Sequence, residues 1–146
     1  EEEMIIETAL VCLALNIYHE AKNQSMLGQL AVAEVVMNRV EDTRFPDSVC
    51  EVVKQGITYK GTDVPILHKC QFSWYCDGKS DRPRKGSKEW RNAMTYAYQV
   101  LNDEINIDVS MGATHYHASY VSPAWSKTKK RTTRIDRHIF YKWERK

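Results

Sequence analysis

Residues 26–40 restrict the possible folds of this chain most strongly, because the segment is apolar on nearly every side. Ser25 is a suitable N-cap for a helix that begins at Met26 and ends near Val40. A helix that is hydrophobic all round is stable only when other elements surround it. We therefore predict a central helix in the middle of the core. Glu34 lies among its apolar positions and is a carboxylate that the fold could bury.

A second helix is predicted just before the central one, from about Met4 to Ala21, and it ends in a carboxylate. Apolar residues recur on one face of this helix, at Leu10, Leu13, Ala14 and Ile17. Glu20 falls close to the same face. Apolar surroundings disfavour the charged form of a glutamate and raise its pKa, as a general acid near neutral pH requires. The spacing alone equally allows a Glu20 that ends the helix in solvent.

Two further helices are predicted, because in each case a serine precedes apolar residues at helical spacing. Ser48 caps a short helix through Gln55, and Ser87 caps a long helix that ends near Asn102. Arg39, at the end of the central helix, can hydrogen-bond to backbone nearby.

The remaining segments have the patterns of loops and strands. Glycine and proline interrupt residues 56–86, where we predict an irregular region with one short hairpin. Residues 112–118 alternate as a strand does, with Tyr116 on one face and its two neighbouring histidines on the other. Residues 135–143 have the pattern of a final strand. The sequence thus predicts an α+β fold, mostly α, with about three main helices and a small β-hairpin or sheet.

Charge is distributed unevenly along the chain. Residues 1–73 contain 6 Lys/Arg and 11 Asp/Glu, whereas residues 74–146 contain 15 and 8. The basic half indicates either an anionic partner, such as a cell-wall polymer or nucleic acid, or a solvated surface. Its densest run, residues 127–137, is accompanied by no nucleic-acid-binding motif. We therefore favour a solvated loop there, and after it an attraction to an anionic polymer. No apolar run approaches the ~20 residues of a membrane-spanning helix.

The four cysteines do not form a recognisable metal-binding pattern. Cys12 lies within the first predicted helix, and its simplest interpretation is a small buried hydrophobic residue. Two of the other three, Cys50, Cys70 and Cys76, could form a disulfide if the protein works outside the cytoplasm.

A block of aromatic and polar residues stands in the irregular region, at Gln71, Phe72, Ser73, Trp74, Tyr75 and Asp77. Sites for glycans combine aromatic platforms with amide and hydroxyl groups, because sugar rings have apolar faces edged with hydroxyls. The same composition also fits a structural loop that is filled by its own aromatic rings.

Histidines offer a second candidate site. His115 and His117, with His138 or His19, could bind zinc, but no acidic residue flanks the pair. Histidines that are hydrogen-bonded in the core or line a cleft are therefore the favoured interpretation. A serine or cysteine hydrolase is disfavoured, because no Gly-x-Ser-x-Gly motif occurs.

Several short motifs stand in a fixed order along most of the chain. They are Asn16-Ile17-Tyr18-His19-Glu20-Ala21, Ala31-Val32-Ala33 with Asn38-Arg39-Val40, Phe45-Pro46 with Val49-Cys50, Gln71-Phe72-Ser73-Trp74 with Asp77-Gly78, Ala113-Thr114-His115-Tyr116-His117, Pro123-x-Trp125, and His138-x-Phe140-Tyr141. In this order they resemble the spore-cortex-lytic type of cell wall hydrolases, the SleB/CwlJ-like family. The chain departs from the family pattern at Lys22-Asn23-Gln24-Ser25 and at Asp136-Arg137, which bears on substrate preference.

The resemblance implies a lysozyme-like, mostly helical domain, one catalytic unit over residues 1–146, that cleaves the glycan strands of peptidoglycan. It implies Glu20 as the catalytic acid, in a groove whose other residues bind the substrate. Those predicted substrate-binding residues are Gln71, Phe72, Ser73, Trp74, His115, Tyr116, His117 and Trp125. No cofactor, metal ion or nucleic acid is expected, and the domain is expected to act as a monomer.

One well-supported carboxylate favours a lytic transglycosylase, which needs a single acid/base residue. A true muramidase-type hydrolase ordinarily uses two carboxylates, and Glu34, Asp77 and Asp136 are the candidates for the second. A histidine-ligated zinc hydrolase is the least favoured alternative. Action in the cell wall or periplasm is expected, and spore, vegetative and phage lysis roles are all compatible with the sequence. The chain begins at Glu1 without a methionine or signal peptide, so we expect it to have been trimmed or cut from a longer parent.

Overall fold

A computed structural model describes residues 8–84, 86–105 and 107–144 of the chain. Its elements, in order, are α1 (Ala9–Ala21), α2 (Met26–Val40), α3 (Val49–Val53), β1 (Gly56–Thr58), β2 (Pro65–Cys70), a 3₁₀ helix (Ser73–Cys76), α4 (Lys88–Leu101), β3 (His115–Ala118), a second 3₁₀ helix (Ala124–Lys127), β4 (Lys130–Ile135) and β5 (His138–Lys142). Within the described ranges, no helix is both long enough and apolar enough to span a bilayer. The predicted α+β class, with three main helices, is confirmed.

Helix α2 lies at the centre of the core, as its all-round apolar sequence predicts. Ala33 and Val36 pack with α1, α3 and α4. Val32 and Val35 pack on the other side with Phe140 of β5. The side chain of Ser25 accepts a hydrogen bond from the backbone N–H of Gly28, so the predicted N-cap is confirmed. α2 thus separates a helical half of the core from a sheet half.

Helix α1 begins later than predicted. The backbone of Thr8 is extended and its side chain accepts a hydrogen bond from the N–H of Val11, which makes Thr8 the N-cap and Ala9 the first helical residue. The predicted start, Met4, lies outside the described residues. The predicted end at Ala21 is confirmed, and so are the caps of α3 and α4. α3 and α4 end two residues and one residue earlier than expected, at Val53 and Leu101.

The strands form two antiparallel sheets. β1 and β2 make the hairpin that was predicted in residues 56–86. β3, β5 and β4, in that spatial order, make a three-stranded sheet in which Tyr116 is paired with Phe140. The solvated loop that was favoured for the basic run is wrong, because residues 130–135 form the edge strand β4. Its Thr132 hydroxyl donates to the carbonyl of Ser110 over 2.8 Å, which anchors the strand to the preceding loop.

Both pairs of cysteines form disulfides. Cys12 is bonded to Cys50, with Cα atoms 5.2 Å apart, and Cys70 is bonded to Cys76, with Cα atoms 6.1 Å apart. Cys12 is buried as expected, but its interpretation as a simple hydrophobic residue is wrong, because it is bonded to Cys50. The physical reason is the packing of α3 against α1, which brings Cys50 beside Cys12 although 38 residues separate them. The disulfide expected among the other three cysteines is confirmed as Cys70–Cys76.

Candidate active site

Glu20 lies in the last turn of α1 and faces the three-stranded sheet. The hydroxyl of Tyr116, on β3, donates to Oε1 of Glu20 over 2.5 Å. Burial raises the pKa of Glu20, and the Tyr116 hydrogen bond and the charge of Arg39 oppose that effect. The alternative of a solvated glutamate at a helix end is wrong, since Glu20 is held against protein and favours the protonated form more than an exposed glutamate does.

Arg39 places a buried positive charge beside this carboxyl group. Its Nε donates to the backbone carbonyl of Thr114 over 2.7 Å, and its guanidinium lies 4.9 Å from the ring centre of Phe45 and 5.2 Å from that of Phe72. Burial lowers the pKa of Arg39 to about 10, so the group is still cationic at neutral pH. Arg39 therefore stabilises the carboxylate form of Glu20 without becoming a proton donor itself.

Tyr116 remains a hydrogen-bond donor throughout the physiological range. Burial, and then its contact with Glu20, raise the pKa of Tyr116 well above the usual 10. Its ring packs against His138 and Phe140, with ring centres 4.9 Å and 5.5 Å apart. The sheet thus fixes a protonated hydroxyl in front of Glu20.

The predicted aromatic block packs against the last two turns of α1. Trp74 donates from Nε1 to Oδ1 of the buried Asn16 over 2.9 Å, and its ring stacks on His19 with ring centres 4.6 Å apart. Phe72 and Trp74 are only 3% and 7% exposed. Among the four predicted residues of this block, only Gln71 and Ser73 present substantial surface to solvent. The two aromatic rings therefore position Arg39 and Asn16 rather than form an open platform.

The predicted residues of β3 are divided between the two faces of the sheet. Tyr116 faces Glu20, whereas strand alternation puts His115 and His117 on the opposite face, which we call the outer face. Both histidines contact the ring of Trp125 there, with ring centres 5.2 Å and 5.6 Å away. Nε2 of His117 is hydrogen-bonded to the hydroxyl of Tyr141 over 2.8 Å. The sequence predicted that His115, Tyr116 and His117 line one groove. Instead, Tyr116 lies on the face toward Glu20 and the two histidines lie on the outer face, and the two faces meet at the edge strand β3.

His115 is neutral in these surroundings. Burial, and next the charges of Arg39, Lys129 and Arg44, lower the pKa of His115 to about 3. His138 lies beside Tyr116, on the face opposite to His115, so these histidines do not converge. Within the described residues, no group of three His, Cys, Asp or Glu side chains is arranged to hold a metal ion.

The three candidates for a second carboxylate all have structural hydrogen bonds. Glu34 accepts from the backbone N–H groups of Val109 and Ser110 over 2.9 Å and 2.8 Å. Asp77 accepts from the N–H of Lys79 over 2.9 Å. Asp136 accepts from the N–H and hydroxyl of Ser25 over 2.9 Å and 2.6 Å, at the start of α2. A Cβ at position 28 would come within 2.6 Å of the same Asp136 oxygen, so the glycine leaves room for the bond between Asp136 and Ser25.

The sequence patterns did not predict that Asn16 and Arg39 belong to the site. Arg39 was expected to bond to backbone nearby, and it does bond to backbone, but to Thr114 on a segment 75 residues away. Asn16 belongs to the Asn16–Ala21 motif, and its position among apolar residues of α1 was the one signal that it is buried.

The Tyr116→Phe variant is expected to move the pH profile of cleavage. The lost hydrogen bond stabilises the carboxylate, so the pKa of Glu20 rises further, and the high-pH limit of activity moves to higher pH. We also expect kcat to fall by about tenfold or more, because the carboxylate that forms during the reaction loses its donor. Rates measured from pH 4 to pH 9 on purified peptidoglycan check this. An unmoved upper limit would contradict a direct effect of Tyr116 on Glu20.

Removal of the Cys70–Cys76 disulfide is expected to lower kcat even at temperatures where the variant is fully folded. The bond closes the segment that carries Phe72 and Trp74, and it spans only 6 residues, so its loss costs about 2 kcal/mol of unfolding free energy. A looser segment misplaces Arg39 and Asn16, and a fall in kcat of about tenfold follows. Assays of a Cys70→Ser/Cys76→Ser variant well below its melting temperature test this. Unchanged kcat at that temperature would show that the segment holds its geometry without the disulfide.

The site is thus a glutamic acid desolvated at the end of a helix that faces a small antiparallel sheet in a mostly helical domain. The sequence profile of the cell wall hydrolase family matches residues 23–141, and the chain belongs to this family. Glu20 lies three residues before the matched range, so its proposed role rests on the geometry above.

Curated relatives and solved structures agree with this placement. The chain is 27% identical over 130 residues to a spore cortex-lytic enzyme of Halalkalibacterium halodurans, covering 88% of this chain and 33% of that protein. It is 28% identical over 132 residues to the spore cortex-lytic enzyme of Oceanobacillus iheyensis, covering 89% and 40%. The chain therefore spans between a third and two fifths of the length of these relatives.

Two solved catalytic domains share the fold. The domain of the germination-specific lytic transglycosylase SleB from Bacillus anthracis matches with a TM-score of 0.65 and 21% identity, covering 97% of this chain and all of that one. The domain of the Bacillus cereus SleB protein matches with a TM-score of 0.64 and 24% identity, covering 95% and 94%. The chain therefore shares the fold of the SleB catalytic domains.

Proposed function

We propose that this domain cleaves the glycan strands of peptidoglycan as a lytic transglycosylase, at the bond between N-acetylmuramic acid and N-acetylglucosamine. The proposal depends on the surroundings of Glu20. Burial raises the pKa of this carboxyl group, and the Tyr116 hydroxyl and the Arg39 guanidinium stabilise its ionised form. A group that must give up a proton and then take one back needs both properties.

The reaction runs through two proton transfers at Glu20. The protonated carboxyl group donates its proton to the glycosidic oxygen, and the bond from that oxygen to C1 of the muramic acid breaks. The resulting carboxylate is stabilised by the Tyr116 hydroxyl and the charge of Arg39. It then accepts the proton of the C6 hydroxyl of the same sugar, whose oxygen forms the new bond to C1. The products are a 1,6-anhydro end and a free hydroxyl, Glu20 is protonated again, and no water is consumed.

Single-carboxylate chemistry is favoured over hydrolysis by what the other acids do. A hydrolase needs a second carboxylate to activate water or to attack C1. Glu34, Asp77 and Asp136 are each hydrogen-bonded to backbone N–H groups of their own or another segment. A second catalytic role for any of them would compete with those bonds.

Substrate contacts are proposed around Glu20 and also on the outer face of the sheet, beyond the edge strand β3. Gln71 and Ser73 offer an exposed amide and hydroxyl on the helical side, and Tyr116 stands above the carboxyl group. On the outer face, His115, His117 and Trp125 form an aromatic surface that suits the apolar face of a sugar. Phe72 and Trp74 act through the residues that they support.

Action outside the cytoplasm is proposed together with this activity. Both disulfides are of the kind that persists in oxidising compartments, and peptidoglycan lies there. The domain is proposed to act as a monomer without a cofactor.

Mass spectrometry of digested peptidoglycan tests the proposal. Purified walls treated with the domain should release muropeptides with 1,6-anhydro ends, each one water lighter than the corresponding reducing end. Reducing ends on muramic acid would show that the domain is a muramidase and not a transglycosylase. Fragments whose glycan chains are intact would show that the domain does not cleave glycan strands. Chelator treatment that abolished activity, with restoration by zinc, would support the histidine-ligated alternative instead.

A further inference from the structure

A band of positive charge runs along β4, its turns and the end of β5. Between residues 120 and 142 the chain contains seven basic residues and one acidic residue, Asp136. We call the basic residues the basic edge, and they are Lys127, Lys129, Lys130, Arg131, Arg134, Arg137 and Lys142. All but Lys129 are exposed.

The register of the sheet points part of this charge toward the outer face. Arg131 is paired with Tyr141, and Arg134 is paired with Ile139, two β5 residues on the same face as His115 and His117. Two residues, Thr132 and Thr133, lie between the arginines, and the register shift there puts both arginines on one face. Their β5 partners are two positions apart, so the arginines lie about 7 to 10 Å apart along the strand.

Aromatic rings share this face with the cations. Nζ of Lys129 lies 5.9 Å from the ring centre of Trp125 and 5.0 Å from that of Trp143. Tyr141 packs edge-on against Trp125, with ring centres 5.3 Å apart. The outer face thus combines flat apolar rings with a row of positive charges beside them.

The charges of the basic edge are not neutralised inside the described part of the protein. The one ion pair found among residues 8–84, 86–105 and 107–144 joins Arg44 to Asp42, away from the basic edge. Asp136 is engaged by Ser25 at the start of α2. Lys130 stands directly opposite Lys142 in the β4–β5 ladder, an arrangement of like charges that destabilises a sheet. Such self-repulsion is relieved when an anion binds.

We propose that the outer face and the basic edge form an anchoring surface for the peptide-bearing glycan, in which the arginines of β4 bind carboxylates of the stem peptides. This proposal rests on the proposed function, because the polymer is the one that Glu20 cleaves. The two faces meet along the edge strand β3, and β4 lies two strands away at the other edge, about 10 Å across the sheet. A glycan strand that continues from Glu20 around β3 onto the outer face therefore reaches the arginines within about two sugar lengths. The partly exposed ring of Trp125, held in place by the buried Tyr141, then lies under a sugar, and Arg131 and Arg134 lie where peptides leave the glycan strand.

Sedimentation with insoluble peptidoglycan tests the proposed binding of stem peptides separately from the proposed cleavage. All variants are made in the Glu20→Gln background, so that binding is measured on walls that stay intact. One sample of wall retains its stem peptides, and a second has been stripped of them by an amidase. We expect binding to the intact wall to be about tenfold tighter than to the stripped wall, and to weaken as salt is added.

Substitution of the two arginines should remove this difference. Arg131→Gln/Arg134→Gln is expected to weaken binding to the intact wall by about tenfold and to leave binding to the stripped wall nearly unchanged. The charge-conserving pair Arg131→Lys/Arg134→Lys should bind almost as the parent does. The matched control Lys60→Gln/Lys69→Gln removes the same charge from exposed positions on the β1–β2 hairpin and should change nothing. Thermal melts verify that each variant is folded.

Three results would overturn the proposal. Equal binding to intact and stripped walls would exclude stem-peptide carboxylates as the ligands. If Lys60→Gln/Lys69→Gln weakened binding as much as Arg131→Gln/Arg134→Gln does, the effect would be one of net charge alone. Binding that disappears only when phosphate polymers are extracted from the wall would assign the surface to phosphate instead. Failure of the proposed function is seen separately, as the absence of cleavage products from the wild-type domain on the same intact wall.

Discussion

Glu20→Gln is expected to abolish glycan cleavage while the domain remains folded, with a fall in the rate of about a thousandfold. Glutamine can accept the Tyr116 hydrogen bond, so the local geometry survives. It cannot donate a proton to the glycosidic oxygen or take one from the C6 hydroxyl, and Glu34, Asp77 and Asp136 are held in hydrogen bonds of their own. Release of soluble muropeptides from purified peptidoglycan measures the effect. Retained cleavage would remove Glu20 from the mechanism.

The same substitution should make the protein more stable at neutral pH. The folded-state pKa of Glu20 is raised above its ordinary value of 4.5, so the stability that this carboxyl group contributes is fully present below that value. It is lost as the pH rises through the folded-state pKa, because ionised Glu20 is poorly solvated. Glutamine does not titrate, and we expect it to gain about 1 kcal/mol at pH 7.5 and almost nothing at pH 4.

Thermal melts of both proteins at the two pH values test this prediction. Glu89→Gln, at an exposed position in the first turn of α4, is the matched control and should leave both activity and the pH dependence of stability nearly unchanged. Equal melting temperatures for wild type and Glu20→Gln at pH 7.5 would mean that Glu20 is solvated enough to ionise without cost.

The helices could be predicted from the sequence because their signals are local. Ser25, Ser48 and Ser87 each cap the helix that was expected, since an N-cap needs only the backbone N–H groups two or three residues away. The position of α2 also followed, because an all-round apolar helix has no other stable place. Alternation on β3 correctly separated Tyr116 from its neighbouring histidines.

The parts of the site that were missed depend on contacts between distant segments. Tyr116 meets Glu20 across 96 residues, and Trp74 meets Asn16 across 58. Periodicity tells which residues share a face, but it does not tell which face of the sheet will meet α1. The strand β4 was missed for a related reason, since a lysine- and arginine-rich segment has no apolar alternation and becomes a strand only through its pairing with β5.

Loss of the Cys12–Cys50 disulfide is expected to have the largest effect on stability. The bond joins α1 to α3 and closes 38 residues, and the chain-entropy estimate for a loop of that length is about 4 kcal/mol, against about 2 for the Cys70–Cys76 bond. A Cys12→Ala/Cys50→Ala variant should therefore unfold about 10 °C below wild type in a thermal melt.

The two disulfides should also differ in what they do for activity. Cys12 lies two turns before Glu20 on α1 and contributes to the helical core, whereas Cys70 and Cys76 bracket the segment that supports Arg39 and Asn16. We expect the Cys12→Ala/Cys50→Ala variant to keep nearly wild-type kcat at 15 °C, where it is still folded, and the Cys70→Ser/Cys76→Ser variant to lose kcat at the same temperature. Melting curves and rates of muropeptide release on both variants make the comparison. The opposite pattern, with kcat lost in the first variant and kept in the second, would mean that the position of Glu20 is set by the attachment of α1 to α3 and not by the segment beneath it.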